Sequence, residues 1–157
     1  MSTSKGSLIA IALSVAGCID TDTAVFVDAT IDNATLSAEQ LPLGTALSGS
    51  FELTLHLGAR ASGPSEVGYL SFSIKSEAGD VIVDNLPVEA SQPAPVTVDP
   101  GGSDSVVTFT LDTGAELGTE VFDQICAGPI IISGVIEDSL ATSSTPVESE
   151  PFSPSGC

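Results

Sequence analysis

Few side chains of this 157-residue chain could do chemistry on a substrate. It has one histidine, His56, three cysteines, Cys18, Cys126 and Cys157, and 21 Asp and Glu against 3 Lys and Arg. A zinc site needs several His, Cys or carboxylate ligands held together, and His56 has no second histidine to share one with. Lying two residues after Thr54 and four after Glu52, it reads as a solvated residue on the polar face of a strand. Asp112, in Leu111-Asp112-Thr113-Gly114-Ala115, is the one candidate for acid–base work. The competing reading is an Asp-Thr-Gly turn that ends a strand. Calcium takes roughly six to eight oxygens, which Asp20, Asp22, Asp28, Asp32, Asp99 and Asp104 could supply from loops and strand ends. No Asp-x-Asp-x-Asp-Gly spacing gathers them, and scattered acids serve solvation. With no Gly-x-Ser-x-Gly elbow and no phosphate-cradling glycine loop, no cofactor is implied.

The cysteines divide by position. Ser7 to Ala16 form a short apolar stretch that follows Lys5 and runs into Val15-Ala16-Gly17-Cys18. About ten apolar residues cannot span a hydrocarbon layer of about 30 Å, but they suit a cleaved signal peptide. The tetrapeptide resembles the lipobox of bacterial lipoproteins. That resemblance implies removal of residues 1–17, a diacylglyceryl group on the Cys18 sulfur and acylation of the new amine. Residues 18–23 would then be a lipidated anchor and linker, the membrane a partner through the lipid, and the acyl chains a stable hold at ~0.8 kcal/mol per buried methylene. Ile19 stands where an Asp would signal inner-membrane retention, which points to the cell envelope's outer membrane. Export also places Cys126 and Cys157 in an oxidising compartment, where two thiols become a disulfide. Closing a loop of about 30 residues adds ~3.5 kcal/mol in the chain-entropy account, and fastens a Ser/Pro-rich tail.

Charge and composition exclude other roles. The formal net charge is −18, and cleavage would remove Lys5 and no acid, making it −19. Such a chain has no cationic patch for a nucleic-acid backbone or an anionic lipid surface. The absence of Trp and the single Tyr, Tyr69, leave little for an aromatic sugar platform. Acidity of this degree suits salty surroundings, where screening lowers self-repulsion.

The elements that must position these residues are short strands. Apolar and polar residues alternate over Phe51–Leu57, Leu70–Lys75 and Val107–Leu111, the period of a half-buried antiparallel strand. Weaker strand candidates are Ala24–Ile31, Val81–Val83 and Pro95–Val98. Ile130–Ile136 is nearly continuous apolar and predicts a strand covered on both sides. Leu53, Leu55, Phe72, Phe109 and Ile131 are expected inward, and Glu52, Thr54, Ser73 and Thr108 toward water. Gly63-Pro64, Gly79-Asp80 and Asp99-Pro100-Gly101-Gly102 mark turns. Leu117, Val121, Phe122 and Ile125 recur at helical spacing, predicting a short helix near 119–126 with Thr119 as cap and Glu120 in its first turn. Leu36–Leu41 suggests a single helical turn, and Ala141–Ser155 reads as tail or edge structure.

The order "PVTVDPGGSDSVVTFTLDTG", helix, "GPIIISGVIED", "STPVESEPFSP" resembles the C-terminal half of the late-embryogenesis-abundant type 2 domain, also called the water-stress and hypersensitive-response domain. That family implies a fibronectin-like, non-enzymatic β-sandwich, and a generic immunoglobulin-like sandwich fits the same strand spacing. Leu111–Ala115 resembles the active-site loop of retropepsin-type aspartic proteases, which implies a catalytic Asp112 in a dimer. The reading adopted is all-β: one antiparallel sandwich over 24–157, immunoglobulin- or fibronectin-like, lipid-anchored and binding or structural rather than enzymatic. The alternatives are a retropepsin-like protease using Asp112 and a calcium or small-ligand module.

Overall fold

Alternating sequence becomes alternating burial in the computed structural model, which describes residues 22–157. The expected signal stretch 1–17, Cys18 and Asp20 lie outside the described residues. The strands are β1 (Asp28–Leu41), β2 (Gly44–His56), β3 (Ser65–Ser76), β4 (Val81–Val83), β5 (Val88–Ala90), β6 (Val96–Val98), β7 (Ser105–Asp112), β8 (Ile130–Asp138) and β9 (Thr145–Glu148), with helix α1 (Thr119–Ile125) between β7 and β8. One sheet runs β1-β2-β7-β5, the other β4-β3-β8-β9, with β6 also on β3. Every strand pair is antiparallel. A constant-type immunoglobulin domain sets its first, second, fifth and fourth strands in one sheet and its third, sixth and seventh in the other. With β4 and β6 as additions, β1-β2-β7-β5 against β3-β8-β9 has that order. The chain is an all-β, immunoglobulin-like antiparallel sandwich with one short helix.

The core is one cluster of buried apolar side chains from both sheets. Phe51 and Phe109 are cross-strand partners and stack with centroids 5.0 Å apart. Phe72 of the facing sheet meets them at 4.9 and 4.8 Å. Phe72 lies opposite Gly134 on β8, where an added Cβ would fall 2.5 Å from its ring. Only glycine leaves room there. Leu53, Leu55, Phe72 and Phe109 are buried as expected, while Glu52, Thr54, Ser73 and Thr108 are half-buried.

Four expectations change. Ile131 does not face the core: Ile130, Ile132, Gly134 and Ile136 do, and Ile131 is half-buried on the other face beside Lys75. In a continuous apolar run, residue types do not reveal which parity points inward. Leu36–Leu41 is no helical turn but the second half of β1, beyond a bulge between Asp32 and Thr35 in which Asn33 takes φ 52°. The bulge puts Ile31 and Leu36, five apart, on the same buried face, which hides the period of two. Leu70 is 56% exposed because β3 slips register between Tyr69 and Ser71. Thr119 does not cap α1: Gly118 is the N-cap and no side chain bonds there. Val121 and Ile125 are the helix's buried residues.

The stretch 141–155 is edge structure, not a free tail. After β9, Phe152 exchanges backbone hydrogen bonds with Ile130 at 2.9 and 3.0 Å. Ser155 then donates to Leu36 O and accepts from Ala38 N, at 2.8 and 2.9 Å. The segment thus passes from β8 to β1 and closes one flank between the sheets. Gly156, at φ 83°, lies so close to β1 that an added Cβ would sit 2.1 Å from Ala38 O. A disulfide then joins Cys157 to Cys126 at the end of α1.

Candidate functional site

The polar side chains collect at the end of the sandwich where β1 begins and β2 finishes, since Asp28 pairs with His56. The β2 alternation that buries Leu53 and Leu55 turns His56 to the outer face. There its Nδ1 lies 2.7 Å from Asp104 Oδ1 and its Nε2 2.9 Å from Asp22 Oδ2. Asp104 ends the β6–β7 loop, and Asp22 opens the described chain, its Oδ1 accepting from Ala24 N at 3.2 Å. Gly58 lets that segment approach: an added Cβ would sit 2.5 Å from Ala24 O.

Two carboxylates favour the protonated ring. The hydrogen bond to Asp104, then that to Asp22, raises the His56 pKa above its ordinary 6.5. The hydrogen bond from His56 holds Asp22 below the usual carboxylate range. With both nitrogens occupied by carboxylates, neither is placed to take a proton from a substrate hydroxyl. His56 ties three segments together: it stands partly exposed on the polar face of its strand, as the sequence suggested, but is bonded at both ring nitrogens. Its partners are 34 and 48 residues away, and no local spacing announces them.

A third carboxylate, Asp138, carried no signal in the sequence. It is 5% exposed at the end of β8. Its Oδ2 accepts from Val27 N at 2.7 Å, and its Oδ1 from Leu140 N at 2.8 Å and from the Ser65 hydroxyl. Burial pushes its pKa up, but the hydrogen bonds from Ser65, Val27 and Leu140 outweigh it and leave the pKa lowered. Asp138 is therefore an ionised staple that ties Val27 to the second sheet. It borders an open cleft of about 540 Å³ that Glu66 and Glu137 also line.

Asp112 is exposed at the end of β7. Its Oδ1 accepts from Gly114 N at 3.0 Å, and Gly114 takes φ 54°. Thr113 is buried, accepting from Leu47 N at 2.9 Å through its hydroxyl. These bonds make Asp112-Thr113-Gly114 an Asx-type turn that ends a strand. Of the other acids considered for calcium, Asp22 and Asp104 are both bonded to His56, Asp28 stands exposed at the start of β1, and Asp32 accepts from Thr30. Among the described residues, no group of three or more His, Cys, Asp or Glu is arranged to hold a metal ion.

No protein-family model matches the chain. No curated protein matches it either. Among solved structures it is similar to the ASH/PapD-like domain of human CEP192 (PapD-like domain 7), with 16% identity, 90% of this chain and 98% of that one covered, and a TM-score of 0.32. The sandwich assignment stands on the two sheets and their strand order, and no family is assigned.

Proposed function

We propose that this is a lipid-anchored protein of the cell envelope, Cys18 bearing the acyl chains and the sandwich serving as a non-enzymatic binding or structural module. The observation that carries the reading is Val15-Ala16-Gly17-Cys18 at the end of a short apolar stretch. It stands four residues before the tied-down Asp22. The bonding of His56, Asp112 and Asp138 supports a structural use of the polar groups most suited to chemistry. Each is engaged by a partner within the fold. Ile19 after the cysteine favours the outer membrane.

Expression of the full chain and of Cys18→Ser in a bacterial host tests the anchor. The parent should partition into detergent and yield an N-terminal peptide beginning at Cys18 with added acyl mass. The variant should lose both properties. Equal partitioning of the two, with no acyl mass, would overturn the reading.

A further inference from the structure

The first described residues are held rigidly yet present two large apolar side chains to solvent. Val25 is 46% and Phe26 53% exposed, although Val27 beside them is 6% exposed. The backbone around them is fixed on both sides. Upstream, Asp22 accepts from Ala24 N and pairs with His56; downstream, Val27 N donates to Asp138. Single exposed apolar residues are ordinary on protein surfaces. An adjacent pair on a fastened segment, at the end that receives the anchor, is a more specific arrangement.

The length of chain outside the structure says what lies against this pair. Only residues 19–21 separate Cys18 from Asp22, so even a fully extended link spans about 14 Å. An acylated Cys18 would therefore hold this end, and no other, against the bilayer. The loop packed beneath contributes a cation. Gly58 lies so close to the Asp22 carboxylate that an added Cβ would sit 2.6 Å from its Oδ1, and two residues on, Arg60 is exposed and in no ion pair among the described residues. Lys75, the other described Lys or Arg, is bound to Glu148 at 2.8 Å. Asp22 and Asp104 share His56, and Asp28 is exposed close by. That balance favours zwitterionic over anionic headgroups.

Building on the lipid-anchor reading, we propose that Val25 and Phe26 form a membrane-facing surface. They rest in the headgroup layer of the bilayer that holds the Cys18 acyl chains, with Arg60 placed for lipid phosphate. Apolar side chains settle at the boundary between headgroups and acyl chains, so the domain stands with β1 and β2 pointing away from the membrane. The β1–β2 turn at Leu43 is then the distal tip.

The chain contains no tryptophan, so Phe26→Trp places one fluorescent reporter at this surface, and Leu43→Trp places one at the tip, where Leu43 is 93% exposed. Both full-length acylated variants are reconstituted into phosphatidylcholine vesicles, plain or brominated in the acyl chains. The Phe26→Trp protein should emit further to the blue on vesicles and lose much of its intensity on brominated lipid, while Leu43→Trp does neither. Equal emission from both variants, quenched or unquenched, in protein that floats with the vesicles overturns the surface and leaves lipidation standing. Protein that fails to float overturns the anchor, and the surface with it.

Discussion

His56 joins Asp22 and Asp104 to the end of β2, and its protonation sets the strength of that connection. The sign follows from the two shifts. The raised His56 pKa contributes stability that is fully present below the ordinary 6.5 and is lost as pH rises through the folded value. The lowered Asp22 pKa contributes above its ordinary 3.8 and is lost as pH falls through its folded value. The clamp is therefore strongest between 3.8 and 6.5. Urea titrations of the parent and His56→Gln across pH should show their largest difference in that window, shrinking toward alkaline pH. All three side chains are substantially exposed, so the difference should be modest. A gap that widened with rising pH would make neutral imidazole the stabilising form and remove the clamp. Asp138 is the more buried of the two devices, and nothing in Val135-Ile136-Glu137-Asp138 distinguishes the staple from the exposed Glu137 beside it. Its role is made by Ser65 and Val27, 73 and 111 residues away. The number and position of cysteines bear directly on compartment and cross-linking. The partners of a carboxylate leave no comparable mark in the chain.

At the scale of the element, β7 tests the sandwich most sharply. Phe109 is 1% exposed and touches Phe51, Phe72 and Tyr69, while Thr108 is half-buried on the opposite face. Phe109→Ala removes aromatic contacts from both sheets and leaves a cavity, costing about 3–5 kcal/mol. Thr108→Ala should stay within about 1 kcal/mol. Denaturant titration of the two variants checks this, and equal losses would place the strand in the wrong register. Where alternation is unbroken, as over Phe51–His56 in β2 and Val107–Leu111 in β7, the strand face can be read from residue types alone. It fails where one extra residue shifts the count: Asn33 in β1 and the slip at Leu70 in β3 each break a pattern that resumes a few residues later. It fails also in β8, where Ile130, Ile131 and Ile132 differ in burial but not in kind. Strand β5 is not legible because none of Val88, Glu89 and Ala90 is buried, whereas the equally short β4 and β6 each bury a valine. The helix was legible because Val121 and Ile125 are one turn apart and both buried. Its cap was not, since a glycine N-cap leaves no side-chain signature.

For the whole molecule, the dominant physical fact is a net charge of −18 on 157 residues. Like charges gathered into a compact sandwich repel one another more than in the expanded chain, so the folded state carries the larger electrostatic cost. Salt acts on two opposing contributions. It screens that repulsion, with a Debye length near 10 Å at about 0.1 M, and it also weakens the pairs of His56 with Asp22 and Asp104 and of Lys75 with Glu148. Exposed pairs are few here and contribute little individually, whereas the repulsion is summed over most of the 21 acids. Screening of repulsion should win. The thermal midpoint should therefore rise as sodium chloride is increased from about 0.01 M, where the Debye length is near 30 Å, and level off toward 1 M, where it is near 3 Å. Sodium chloride is the right probe because sulfate strengthens apolar burial whatever the charge. The series is run without reductant, so that the Cys126–Cys157 disulfide is common to every salt concentration. A midpoint that fell with salt would mean that a handful of ion pairs outweighs the collective repulsion. Salty surroundings would then weaken the fold rather than suit it.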